Sequence, residues 1–193
     1  MTLSKRSFLR LAAAQGCALA LVACGGDDTP AAGAGAGAGG VIGGSLTLTG
    51  TSNLPDAATA FTPDAGVPAG SSSATVRNNL LNVAVSSLVN GSTLRVLSAP
   101  LSGTAPPAVG STYNIVVDGN SNGSPLTLIV SQVLTSRNYA FASESGVVKI
   151  TALSATSADL LFTNVTLHAD TTASNNSATG NVILNGTITV KRL

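Results

Sequence analysis

The chain has no tryptophan, one histidine, one methionine and two cysteines in 193 residues, and charged side chains make up only 9% of it. Each scarcity removes a class of chemistry. His168 stands alone, so a multi-histidine metal site within one chain is excluded. Both cysteines, Cys17 and Cys24, fall near the start, which leaves the body without a thiolate nucleophile, a cysteine-ligated zinc, an iron–sulfur cluster or a disulfide. The charges are sparse and scattered. No run of Lys and Arg is present to neutralise a phosphate backbone, so nucleic acid is not expected as a partner, nor is any other strongly anionic one. Sugar-binding domains usually stack rings on exposed aromatics, and the body offers only Phe61, Tyr113, Tyr139, Phe141 and Phe162. Of these, Tyr113, Tyr139 and Phe141 fall in strand-like segments where burial is expected.

The first 23 residues are of another kind. Lys5, Arg6 and Arg10 precede thirteen uncharged residues, Leu11 to Ala23, as a basic n-region precedes the apolar core of a secretory signal. That stretch is too short to cross a bilayer as a helix, which takes about 20 apolar residues. Its end, Leu21-Val22-Ala23-Cys24, resembles the lipobox of bacterial lipoproteins: a leucine three residues before the cysteine and a small residue just before it. The resemblance implies cleavage between Ala23 and Cys24 and a covalent lipid on Cys24, with no other cofactor. One acyl chain holds a protein to a membrane only marginally, whereas two or three anchor it stably. Ser4-Lys5-Arg6-Ser7-Phe8-Leu9-Arg10 also resembles a twin-arginine export signal, with Lys5 at the first arginine position, so the twin-arginine and general secretory routes both stay open. Gly25, rather than an aspartate, follows the cysteine. In this family that implies the outer rather than the inner membrane of the cell envelope.

Loss of residues 1–23 would take Lys5, Arg6 and Arg10 from the nine basic residues and none of the eight acidic ones, leaving a net charge near −2. Residues 24–44 then comprise the lipidated cysteine and a segment of glycine and alanine that buries almost nothing. Fixing its backbone is entropically costly, so it reads as a flexible tether with an r.m.s. reach on the order of 25 Å. Residues 45–193 are the size of one domain with a single core. Within them residues 52–73, rich in proline, alanine and serine, read as a long loop, and Pro55-Asp56-Ala57 is echoed by Pro63-Asp64-Ala65.

The body alternates with period two. Leu46 and Leu48 share a face, as do Leu94 and Val96; Tyr113, Ile115 and Val117; Leu126, Leu128 and Val130; Tyr139 and Phe141; and Val148 and Ile150. Leu161, Val165 and Leu167 mark a longer run, and Val182, Leu184, Ile188 and Val190 complete the pattern. Asn90-Gly91, Asp118-Gly119, Asn122-Gly123, Ser145-Gly146 and Asn185-Gly186 read as turns between these segments. Residues 78–89 fit a strand or one side of a short helix, and the following Asn90-Gly91 favours the strand. The expected fold is all-β: an antiparallel β-sandwich or partly open barrel of about eight to ten short strands.

Two motifs carry the letters of chemistry without its context. Gly119-Asn120-Ser121-Asn122-Gly123, with Asp159 and His168 downstream, matches a nucleophile elbow and its partners in order. An elbow needs a helix after it, and Leu126 to Val130 predict a strand, so no catalytic residue is assigned. Asp118, Asn120 and Asn122 sit as the first oxygen ligands of a calcium loop, but Ile129 occupies the position of its bidentate glutamate. Any calcium site there would be weak, and a hairpin loop is the plainer reading. Asp56, Asp64, Asp118, Glu144, Asp159 and Asp170 are all expected in or beside turns, where no spacing selects a pair for glycoside hydrolysis.

The last third, from Tyr139 through Val148, Phe162 and Val165 to the run Gly180–Val190, resembles the Gly/Thr-punctuated β-meander of bacterial lipoproteins without an assigned activity. It implies an all-β domain and no catalytic residues. The sequence therefore predicts a lipid-anchored envelope lipoprotein with a structural or interaction role, meeting the membrane through its anchor and another envelope protein through sheet edges or loops. A domain holding a lipid or small apolar ligand between its sheets, and a carboxylate-dependent hydrolase, are the rivals.

Overall fold

The computed structural model describes residues 42–117 and 123–193, and every regular element among them is a β-strand. The strands are β1 (Gly43–Thr49), β2 (Ser73–Arg77), β3 (Leu80–Val89), β4 (Thr93–Ser102), β5 (Thr112–Asn114), β6 (Thr127–Gln132), β7 (Arg137–Leu153), β8 (Ser157–Ala169) and β9 (Asn181–Arg192). Seven of them close a ring. β2, β3, β4, β6, β7, β8 and β9 pair antiparallel in that order, and β9 returns to β2 through a short parallel seam, Ser73 opposite Lys191 and Ala74 opposite Arg192. The Leu193 N–H extends the seam by donating to the Ala74 carbonyl at 2.9 Å. The two extra strands fill wedges: β1 takes the edge of β9 that β2 leaves free, and β5 takes the edge of β7 that β6 leaves free. Closure removes most of the unpaired strand edge that an open sandwich would present.

Alternation sets the inner face. Leu126, Leu128 and Val130 of the β6 segment are buried, as are Leu81, Val83 and Val85 of β3, so residues 78–89 contain the expected strand. The expected parity fails at Leu161, which faces outward between buried Leu160 and Phe162, at Val117, which is 50% exposed, and throughout β4. Its buried face carries Thr93, Arg95, Leu97, Ala99 and Leu101, while Leu94 and Val96 face outward and stay half-buried. Three strands are also longer than expected. β7 runs 17 residues, β8 13 and β9 12, because Ser145-Gly146 and Asn185-Gly186 are not turns but lie inside β7 and β9.

Those positions align. The β7–β8 register slips between Ser143 and Val147, the β8–β9 register slips between Phe162 and Val165, and these are β-bulges that bend the strands and change parity. Parity changes as required: Tyr139, Phe141 and Ser143 are buried before the first bulge, Val148 and Ile150 after it; Leu160 and Phe162 before the second, Val165 and Leu167 after it. Asn164 sits at the second bulge with φ 46°, and its N–H donates to Asn185 Oδ1 at 2.7 Å. A Cβ on Gly146 (φ 126°) would lie 2.5 Å from the Val165 Cα, and one on Gly186 (φ 137°) 2.3 Å from the Ser45 carbonyl oxygen. Neither position tolerates a side chain.

The ring has two rims. At one, here the distal rim, the β3–β4 turn meets the β6–β7 turn through Val133 N–H to the Ser92 carbonyl (2.9 Å), and the β8–β9 connection meets β7 through Ser177 N–H to the Asn138 carbonyl (2.8 Å). At the other, the entry rim, the β7–β8 turn meets the end of β9 through Arg192 N–H to the Thr156 carbonyl (2.8 Å), and the β2–β3 turn meets the end of β4 through Gly103 N–H to the Asn79 carbonyl (2.9 Å). The described chain begins in the entry half, with Gly43 opposite Thr189, and β1 then runs toward the distal rim.

Gly186→Ala is expected to destabilise the domain by more than about 3 kcal/mol, since backbone strain and overpacking each cost on the order of 1–3 kcal/mol. Gly91→Ala, with positive φ but open space around its Cβ, should cost only about 1–2 kcal/mol. Chemical denaturation of the two variants tests this, and equal losses would show that the close approach of β1 to β9 is not a constraint.

Candidate functional site

The only charged side chain in the buried set of the described residues is Arg95, fully buried at the distal end of β4. An unpaired guanidinium there would be costly, and the loop after β1 supplies what it needs. Nη1 donates to the Thr59 carbonyl at 2.8 Å, and Nη2 donates to the carbonyls of Pro55, at 3.3 Å, and Asp56. The Asp56 carboxylate then accepts from Thr93 Oγ1 at 2.9 Å and Asn90 Nδ2 at 3.3 Å. Burial pushes the Arg95 guanidinium below its ordinary value, and the Asp56 charge pulls it part of the way back. Nε of Arg95 has no partner.

The two Pro-Asp-Ala echoes make two similar turns with an aspartate at positive φ, 55° at Asp56 and 59° at Asp64. Asp64 holds the second one: its carboxylate accepts from Gly70 N–H and Ser72 N–H, both at 2.6 Å, while its own N–H donates to the Ser86 carbonyl at 2.9 Å. Between the turns Phe61, fully buried, exchanges backbone hydrogen bonds with Leu46 of β1, and Leu88 N–H of β3 donates to the Ala65 carbonyl. The long loop thus closes the gap between β1 and β3, and it ends one residue earlier than the sequence suggests, where β2 begins at Ser73.

The other residues singled out from the sequence do not converge. His168 and Asp159 lie nine residues apart on the single strand β8, roughly 30 Å at the usual strand rise, so they cannot act as a catalytic pair. The acids are not all in turns either: Asp56, Asp64 and Asp170 are, but Glu144 lies in β7 and Asp159 in β8. Asp170 Oδ1 accepts from the Thr172 N–H at 2.8 Å and its hydroxyl at 2.6 Å. Among the described residues no group of three or more His, Cys, Asp and Glu side chains is placed to hold a metal. Ala23 and Cys24, and Asp118, Asn120 and Asn122 of the calcium-type loop, lie outside the described residues.

A shallow depression of about 210 Å³ opens on the entry rim between residues 103–105 and 111–113. Its wall includes Tyr113, whose buried hydroxyl has no hydrogen-bond partner among the described residues. Burial raises the Tyr113 value above the ordinary 10.0, and the nearby Ser111 hydroxyl draws it back without reaching hydrogen-bond geometry. The barrel interior offers no such space. Leu46, Phe61, Leu97, Leu128, Phe141, Ile150, Leu160, Leu184 and Ile188 have 0% of their surface accessible, so no water-sized void lies beside them.

Arg95 was not legible as a site residue, because Leu94 and Val96 suggested the opposite parity for β4. The odd series Leu97, Ala99 and Leu101 is the signal that places Arg95 inward. No protein-family model, curated protein or solved structure matches the chain.

Arg95→Met is similar in length but takes the donor from the Pro55 and Thr59 carbonyls, while the Asp56 carbonyl keeps the Thr59 N–H at 2.8 Å, so a loss of about 2–5 kcal/mol is expected, with residues 53–61 becoming the first site of proteolysis. Limited proteolysis followed by mass spectrometry reads this out. Unchanged cleavage at the loop would mean that Arg95 does not hold it.

Proposed function

We propose that this chain is a non-enzymatic envelope lipoprotein: Cys24 carries the lipid, residues 25–44 space the domain from the outer membrane, and the barrel meets another envelope protein through its distal rim. The observation that carries the reading is at the β6–β7 turn. Val133 is 64% exposed and Leu134 85% exposed, side by side at the rim opposite the half where the chain enters. Apolar side chains at a hairpin tip are poorly placed for stability and well placed to insert into a partner's surface. Their turn is tied by the Val133–Ser92 hydrogen bond to the β3–β4 turn, whose Asn90 and Thr93 bind Asp56 of the Arg95-pinned loop, so little ordering entropy is lost on docking.

The filled interior supports a surface role over a ligand held within the barrel. The engagement of Asp56, Asp64 and Asp170 in turn hydrogen bonds supports a binding role over carboxylate chemistry. Loops serve the contact better than strand edges, because the outer edge of β1 is partly covered by Phe61 and that of β5 by Ser124.

Cys24→Ala is expected to move the protein from the membrane fraction to the soluble fraction without loss of folding. A photocrosslinker at position 134 in cells should give a discrete protein adduct, and one at Thr151, exposed toward the entry rim, should not. Retention of Cys24→Ala in the membrane with unchanged lipid labelling would remove the anchor, and identical adducts from both positions would remove the distal contact.

A further inference from the structure

The charges that are scattered in the sequence are sorted by the fold. Arg77 ends β2 and Lys191 and Arg192 end β9 at the entry rim, and Lys149 of β7, opposite Leu161 of β8, lies on the outer wall in the entry half. Arg77, Lys149 and Lys191 are exposed and Arg192 is half-buried, with Nη1 donating to the Ser154 carbonyl at 2.7 Å. Among the described acids only Asp159 shares that end. Asp56 and Asp170 lie in the distal half, with Arg137 as the exposed cation there, and Glu144 and Asp64 lie between the rims, Asp64 bound to the Ser72 N–H beside the seam. Two exposed apolar side chains accompany the basic group: Leu193, 68% exposed, directly after Arg192, and Val109, 62% exposed, beside Gly110, whose N–H donates to the Ile150 carbonyl of β7.

We propose that this entry rim is a second membrane contact, which docks the barrel on the anionic headgroups of the bilayer its lipid is anchored in; the proposal rests on the tethered-lipoprotein reading above. Basic side chains with a few apolar ones among them are what an anionic headgroup layer attracts, each cation near the surface strengthening binding about fivefold. Three or four such residues give an association constant on the order of 10²–10³ M⁻¹. Free in solution that would be negligible. The proposed tether of about 20 residues would supply an effective concentration in the millimolar range, which brings docked and undocked states into balance. The chain begins its first strand in the same half as the basic rim, so docking requires no reversal of the tether and leaves the Val133–Leu134 tip facing away from the membrane. Balance makes the contact responsive: more anionic lipid or less salt lays the barrel down, and the reverse releases it.

The absence of tryptophan permits a direct test with single reporters, Val109→Trp at the entry rim and Leu134→Trp at the distal tip, in the full lipidated chain. The chain is reconstituted into vesicles with brominated acyl chains, containing either about one third phosphatidylglycerol or phosphatidylcholine alone, at about 0.15 M and about 1 M salt. The reporter at 109 should be quenched in anionic vesicles at low salt and lose most of that quenching in neutral vesicles or high salt. The reporter at 134 should stay unquenched throughout. Adding Arg77→Glu, Lys149→Glu and Lys191→Glu together should lower the docked-to-undocked ratio by about a hundredfold or more. No quenching at 109 in anionic vesicles, or equal quenching in neutral ones, overturns the proposal. Flotation with the vesicles at high salt reports the lipid anchor separately. A chain that floats with an unquenched reporter at 109 loses the rim contact alone, and one that fails to float loses the anchor. In that case the rim is too weak to hold the free chain on vesicles, and the proposal falls with the anchor it rests on.

Discussion

Two neighbouring strands, β7 and β8, bulge at one level, where Gly186 of β9 lies against them, and the barrel depends on that bend. A straight strand of 17 residues would run roughly 55 Å, far longer than a small barrel is tall. β7 instead pairs with β6 at its start and β5 near its end, and β9 passes from β1 to β2, because each is re-aimed on the way. Gly146, Asn164 and Gly186 mark the line, and the chemistry at each is specific. The glycines sit where a Cβ would meet backbone, and the bulged Asn164 N–H is satisfied by the Asn185 side chain. The bulged Asn164 amide thus keeps a partner where the ladder is interrupted.

Curling leaves a gap between β1 and β3, and the loop from 50 to 72 stitches it. The stitch is polar where a core is normally apolar. Arg95 holds three loop carbonyls, and Asp56 holds two side chains of the β3–β4 turn region, so the loop and the turn support each other. Each half supplies what the other needs: the guanidinium takes its acceptors from the loop, and the Pro55 and Thr59 carbonyls take their side-chain donor from the guanidinium. This arrangement also rigidifies the rim where Val133 and Leu134 are displayed. Packing, seam and presented surface are consequences of one another.

Much of the fold was legible because burial follows period two, and β1, β3 and β6 fall where Leu46, Leu81 and Leu128 place them. The misreadings have one physical source. Positive φ is demanded by bulges as well as by turns, so Ser145-Gly146 and Asn185-Gly186 carried the signature of a hairpin while serving a bend. β2 escaped notice because five residues with one fully buried alanine leave almost no pattern. Arg95 was hidden by its flanking Leu94 and Val96, and its partners are backbone atoms, which no side-chain motif encodes. The sorting of charge between rims was equally invisible, since Arg77, Lys149 and Lys191 are far apart in sequence and meet only through the ring.

The closed barrel with its polar stitch has two rims that differ in what they present. That asymmetry exists only if the ring is closed through β2 and β9. The decisive measurement is therefore through-space proton contacts by NMR across the seam, between Ala74 and Leu193 and between Ser73 and Lys191, recorded with those at the bend between Gly146 and Val165. A closed barrel gives both sets alongside the ordinary contacts of β3 with β4. Contacts within β3–β4 but none across the β2–β9 seam would mean an open sheet, and the account of the rims would fall with it.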